Sequence, residues 1–167
     1  MIYERLIHDT RMDECMPAYQ SRLACSHLLT LSDGLPRLIG SRCRNCGEVY
    51  FPAGDGCTSC RSTSMDSFDI GREGILWSWT IQNFLPKAPY NSGETEADFK
   101  PYGVGYVEMA SGVKIESRLS VADPAKLKIG MPMTLAVKPY GKAPEGESIL
   151  TFVFFPTQQT MEGTGNG

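Results

Sequence analysis

From residue 75 onward, apolar and polar positions alternate with period two. In 75–82, Ile75, Trp77, Trp79 and Ile81 alternate with Ser78, Thr80 and Gln82, and only Leu76 is out of phase. In 113–119, Val113, Ile115 and Leu119 take one face, and Lys114, Glu116 and Arg118 form a solvated row on the other. This period predicts half-buried strands. A third strand is predicted over 102–109, where Gly103 and Gly105 suggest a bulge or a tight coil. The segments 133–140 and 148–155 predict the last two strands, joined across the turn-rich 141–147. Before them, Asp123, Pro124 and Gly130 stand as N-cap, first helical position and stop of one helical turn. Five strands with a short helix between the third and fourth is the order of an OB-fold barrel; another small β-barrel or a sandwich half is the alternative.

The chain before residue 75 lacks that alternation. Leu6 and Ile7, then Leu23, Cys25, Leu28, Leu29 and Leu31, predict one or two short amphipathic helices broken near Pro17. An arm this short, 1–34, must lay its apolar face on the rest of the chain or on another protein. Turn residues at 32–36 close it, and Gly71 and Gly74 mark a hinge into the β-rich half. The expected organisation is a helical arm over 1–34, a rubredoxin-like metal ribbon over 35–70, a mainly β barrel over 71–156, and a disordered tail over 157–167.

Composition narrows the function. The 167 residues are 41% hydrophobic, enough for a core, and carry a net charge of −3. From 71 to 156 there are nine Lys/Arg and nine Asp/Glu, so the barrel lacks the basic groove of a strand-binding module, and no nucleic-acid partner is expected. No apolar run approaches the roughly 18 residues of a membrane span, and the N-terminus lacks the apolar core of a signal peptide. Cytoplasm is the expected location.

Four of the six cysteines, Cys43, Cys46, Cys57 and Cys60, fall in two C-x2-C pairs ten residues apart. That spacing lets two pairs of sulfurs close a tetrahedron, and Gly47 removes a β-carbon where backbone N–H groups turn toward sulfur. Four thiolates leave no position for water or substrate, so the expected ion, Zn2+ with iron as competitor, is structural. The histidines are His8 and His27 only, and with Cys15 and Cys25 they stand in the N-terminal segment. No H-E-x-x-H, G-x-S-x-G or Walker lysine motif occurs, so no catalytic residues are assigned.

Residues 82–102 separate the first two barrel strands by far more than an ordinary hairpin. An acidic tip lies between two shoulders, each with aromatics and a lysine: Phe84, Lys87 and Tyr90, then Phe99, Lys100 and Tyr102. These six are candidate contacts for substrate or partner.

The R-C-x2-C-G-x3-F-P ribbon, the entry strand 71–81, and the stretches 101–109 and 127–133 resemble the zinc-ribbon/OB-fold family catalogued as DUF35. The resemblance runs from about Leu35 to Pro156. It implies a non-catalytic accessory subunit of a thiolase-superfamily enzyme acting on acyl-CoA esters, in a heterotetramer with two copies of each chain. Some members of that family pair with aldolases, acetyltransferases or hot-dog hydratases. The partner then carries the reacting groups, and the small subunit shapes or covers the CoA-ester channel. An insertion like 82–102 resembles members that handle bulky aromatic or steroid acyl-CoA. Ala53, Gly54 and Asp55 depart from the family, where many relatives have a basic residue after the Phe-Pro pair.

Overall fold

A computed structural model describes residues 23, 26–32, 34–88, 94–142, 146 and 148–157. Its strands are β1 (Leu29–Ser32), β2 (Leu35–Cys43), β3 (Val49–Tyr50), β4 (Met65–Gly71), β5 (Glu73–Gln82), β6 (Tyr102–Met109), β7 (Lys114–Leu119), β8 (Pro132–Lys142) and β9 (Ser148–Pro156). β1, β3 and β4 all pair antiparallel with β2 in one small sheet. The other five close a barrel in the order β5-β6-β7-β9-β8, sealed by antiparallel β5–β8 pairing and by the parallel pair Leu119–Phe154. That is the OB-fold connectivity.

The barrel closes because its inward positions are apolar and unequal in size. Phe154, Leu76, Val107, Met133 and Leu135 are fully buried, with Ile115, Met109, Leu119, Leu127 and Leu150 around them. Two of the strand glycines are needed for close approach rather than for a bulge in β6. A β-carbon on Gly105 would lie 2.7 Å from the Ser78 carbonyl oxygen, and one on Gly103 would lie 2.3 Å from that of Val121. The turn between β7 and β8 is a 3-10 turn at Pro124–Lys126, with the Asp123 side chain accepting from the Ala125 N–H at 3.0 Å.

The bulge lies instead in β5. Leu76 pairs with Val107 and Ser78 with Tyr106, leaving Trp77 as the extra residue. One inserted residue reverses the facing of everything before it. Leu76, out of phase in the sequence, is therefore core, whereas Ile75 and Trp77 are 45% and 50% exposed. Trp79 and Ile81, beyond the bulge, pack against the core as the alternation predicts.

The helical expectation for Leu28, Leu29 and Leu31 is corrected. Ser26–Leu28 is a single 3-10 turn, and Leu29–Ser32 is a strand. Ser32 pairs with Leu35, so the chain reverses between them, with Gly34 at φ +72°. The Asp-Gly pair at 33–34 is a hairpin signal, and pairing to β2 outweighs the helical spacing of the leucines. Residues 1–22, 24 and 25, with His8, Cys15 and Cys25, lie outside the described residues. So do residues 158–167 of the expected tail, whereas the Thr157 N–H is bonded to the Pro132 carbonyl at 3.0 Å.

The glycine hinge is a tight corner. Gly71 ends β4 at φ +96°, β5 begins at Glu73, and the Arg72 carbonyl accepts from the Leu135 N–H at 2.7 Å. Leu38 and Ile70 of the small sheet belong to the same core cluster as the barrel, and the Phe51 ring meets Phe152 edge-on at 6.4 Å.

Candidate metal centre and outer barrel face

β2 delivers Cys43 at its last residue, and the chain turns back into β3 through Cys46 and Gly47. The Cys43 carbonyl accepts from the Gly47 N–H at 2.9 Å, and the Cys43 N–H donates to the Glu48 carbonyl at 2.9 Å. The second knuckle repeats these bonds: the Cys57 carbonyl accepts from the Arg61 N–H at 2.8 Å, and the Cys57 N–H donates to the Ser62 carbonyl at 2.8 Å. Each loop turns on a left-handed residue, Gly47 at φ +80° and Arg61 at φ +62°. The two loops are near copies, and only the first places glycine where positive φ is needed.

All four sulfurs lie within 4.8 Å of one another, with Cys43–Cys60 at 3.5 Å and Cys46–Cys57 at 3.4 Å. A tetrahedron with metal–sulfur bonds of ~2.3 Å has edges of about 3.8 Å. The donor set therefore fits a tetrahedral thiophilic ion, with Cys43 and Cys57 buried and Cys46 exposed.

The Tyr50 hydroxyl, not singled out by the sequence, is part of this centre. It lies 3.2 Å from the Cys57 sulfur and 3.2 Å from Thr58 Oγ1, and it accepts from the Ser59 N–H at 3.3 Å. Its hydrogen bond is the main cause holding the Cys57 thiol down to about 6. Hydrogen bonding from the Asn45 side chain first, then the Ser62 backbone, also lowers Cys60. Cys46 moves the other way: the Glu48 backbone bond lowers it, but desolvation and the hydrogen bonds shared with the other three sulfurs push it up to about 12.

The six candidate contact residues are not brought into one pocket. Phe84 is 72% exposed, Lys87 and Lys100 are exposed, and Tyr90 lies outside the described residues. Thr95 caps a turn, its carbonyl accepting from the Phe99 N–H at 3.0 Å and its hydroxyl donating to Asp98 at 2.6 Å. This turn presents the Phe99 ring edge-on to Tyr102 at 6.0 Å.

The row Lys114, Glu116 and Arg118 on β7 is not simply solvated. Lys114 pairs with Glu108 at 2.9 Å and lies 5.0 Å from the Trp77 ring centre. Glu116 accepts from the Tyr106 hydroxyl at 3.0 Å, and Tyr106 meets Trp77 edge-on at 6.3 Å. The Arg118 guanidinium carbon is 3.7 Å from the Tyr102 ring centre and 4.8 Å from that of Tyr140. Every charged side chain of the row thus has an aromatic partner. The sequence shows the charges and the rings but not their pairing across three strands.

With both domains in view, residues 34–66 match the ChsH2 rubredoxin-like zinc ribbon domain, and residues 69–138 match the ChsH2 C-terminal OB-fold domain. A DUF35 domain-containing scaffold protein of Methanocaldococcus jannaschii is 32% identical over 95 residues, covering 56% of this chain and 62% of that protein. The benzoylsuccinyl-CoA thiolase subunit BbsA of Thauera aromatica is 26% identical over 119 residues, 71% of this chain and 76% of that one. Among solved structures, the Ltp2-ChsH2(DUF35) aldolase has a chain that superposes with a TM-score of 0.54 at 29% identity, covering 72% of this chain and 84% of its own. Among the described residues no helix is long and apolar enough to cross a membrane. The ribbon, the barrel and their order along the chain are those of one family, and the chain belongs to it: DUF35, with a ChsH2-type zinc ribbon followed by an OB-fold domain.

Proposed function

We propose that this chain is the accessory subunit of a thiolase-superfamily enzyme acting on acyl-CoA esters. Cys43, Cys46, Cys57 and Cys60 hold a structural Zn2+, which ties the ribbon together and takes no part in the reaction. A thiolase-like catalytic subunit supplies the reacting groups, in a complex of two copies of each chain. This chain stabilises that complex and covers its CoA-ester channel. Thiolate ligation suits a reducing compartment, the cytoplasm.

The observation that carries this function is the match over 119 residues to a thiolase subunit, longer than either domain alone, beside a sulfur site with no open position. The relative's name supports thiolysis of a bulky aromatic 3-oxoacyl-CoA, in which CoA thiol and one thioester give two thioesters. A second reaction, retro-aldol cleavage, is supported by the superposition on the Ltp2-ChsH2(DUF35) aldolase.

Co-expression with a thiolase-like chain from the same source tests the assignment. The two are expected to co-purify, and only the mixture should cleave an aromatic 3-oxoacyl-CoA in a CoA-dependent way. Cleavage of the matching 3-hydroxyacyl-CoA without free CoA, giving an aldehyde or ketone and a shorter acyl-CoA, would identify the retro-aldol reaction instead. Full turnover by this chain alone would overturn the accessory role.

A further inference from the structure

Arg118 is the arginine whose guanidinium lies against two aromatic rings, Tyr102 at 3.7 Å and Tyr140 at 4.8 Å. Tyr140 reaches it through a second bulge. Pro139 pairs with Leu150 and Gly141 with Ile149, leaving Tyr140 as the extra residue of β8. A bulge re-aims its side chain, and here it brings a ring from β8 to a cation on β7. Phe99 in turn packs edge-on against Tyr102, their ring centres 6.0 Å apart. Rings against its faces immobilise a guanidinium while its in-plane N–H groups point outward, and that fork matches two oxygens of one anion.

Among the described residues no carboxylate pairs with Arg118, although Arg37, Arg44, Lys114 and Lys126 each pair with one. Lys100 and Lys138, each two residues before a ring of the clamp, have no acidic partner in the described residues either. An arginine held between rings without a carboxylate partner suits an anionic ligand that offers two oxygens.

The geometry points to Arg118 as the recognition point for a phosphate group of the CoA ester. This inference rests on the proposed function and names how the barrel would hold its substrate. The aromatic partners set the guanidinium plane.

Calorimetric titration of the full chain in complex with its thiolase-like partner tests it, using CoA, pantetheine (the same arm without phosphates) and inorganic phosphate. CoA is expected to bind at least tenfold more tightly than either of the others. Arg118→Gln should lower CoA affinity at least tenfold and leave pantetheine affinity as it was. Tyr140→Leu should lower CoA affinity severalfold by freeing the guanidinium. Arg118→Lys should fail to restore it, since an ammonium offers no fork. Because Arg118 lies on the barrel's outer face, metal content and a melting curve suffice to show that the variants fold.

Unchanged CoA affinity in Arg118→Gln overturns the inference, and so does inorganic phosphate binding as tightly as CoA. Loss of the partner without loss of CoA affinity overturns it too, and identifies a partner carboxylate as the occupant. Cleavage of acyl-CoA by a complex whose CoA affinity ignores Arg118 leaves the proposed function standing. Binding of CoA through Arg118 by a complex that cleaves no acyl-CoA does the reverse.

Discussion

The Tyr50 hydroxyl sits where a thiolate needs a donor. At 3.2 Å from the Cys57 sulfur it would share the negative charge of that sulfur as a metal ligand, and the Ser59 N–H fixes its orientation. A hydrogen bond to a charged group is worth about 1.5–3 kcal/mol. Outer partners of this kind tune ligand basicity and metal retention. Tyr50→Phe keeps the ring and deletes the donor, so the variant should fold, bind metal, and release it to a chelator roughly tenfold faster. With Co2+ in the site, its thiolate-to-metal absorption should also shift, because an unshared thiolate donates more strongly. Unchanged release and spectrum would show the contact to be packing only.

In the two knuckles, an element of five residues is used twice with one difference. Gly47 adopts φ +80° without a β-carbon penalty, and Arg61 adopts φ +62° with one. A left-handed residue other than glycine costs roughly 1–2 kcal/mol, partly offset by the greater freedom glycine loses on folding. Arg61→Gly should therefore stabilise the metal-loaded protein by about 0.5–1 kcal/mol, seen as a higher denaturant midpoint at unchanged slope. Gly47→Ala should shift it the other way by about 1 kcal/mol, since its β-carbon would meet nothing nearer than Arg42 Nη2 at 3.6 Å and only the backbone is strained. The bulges in β5 and β8 are the other elements with a positional purpose: each inserts one aromatic residue, Trp77 or Tyr140, and each ring then meets a cation of β7.

Ribbon and barrel share one core, so a metal held by the four cysteines would act beyond its own module. Leu38 and Ile70 are buried with Leu76, and Phe51 packs edge-on against Phe152. Chelating the metal should melt the ribbon and lower the barrel's melting midpoint by about 10 °C, as contacts worth several kcal/mol are lost from one end of the core. A barrel melt indifferent to chelator would mean the domains are energetically separate. Acid should act in the same direction. Cys57 and Cys60 are held below their ordinary range, so their contribution is full above the unfolded thiol value. It is lost as pH falls toward 6 for Cys57, where protons compete for the sulfur lone pairs. Cys46, raised, works the other way: its contribution is full below the unfolded thiol value and is lost as pH rises toward about 12.

What could be read along the chain was whatever depends on near neighbours. The C-x2-C pairs identify four sulfurs because chain spacing alone lets them converge. The alternation in 113–119 assigns Ile115 and Leu119 to the core, and Asp123-Pro124 starts its turn, because each pattern is local. The Asp-Gly pair before β2 is legible as a turn, but the helical spacing of the leucines ahead of it hides the strand that the turn closes. Tertiary structure alone decided the rest. A one-residue bulge reverses a strand's facing, and nothing in 75–82 announces that Trp77 rather than Leu76 is the extra residue. Tyr50 meets Cys57, and Tyr102 and Tyr140 close on Arg118, only after β3, β6, β7 and β8 take their places in sheet and barrel. Contacts between residues far apart in the chain depend on register and curvature, which are properties of the closed barrel and not of any segment within it.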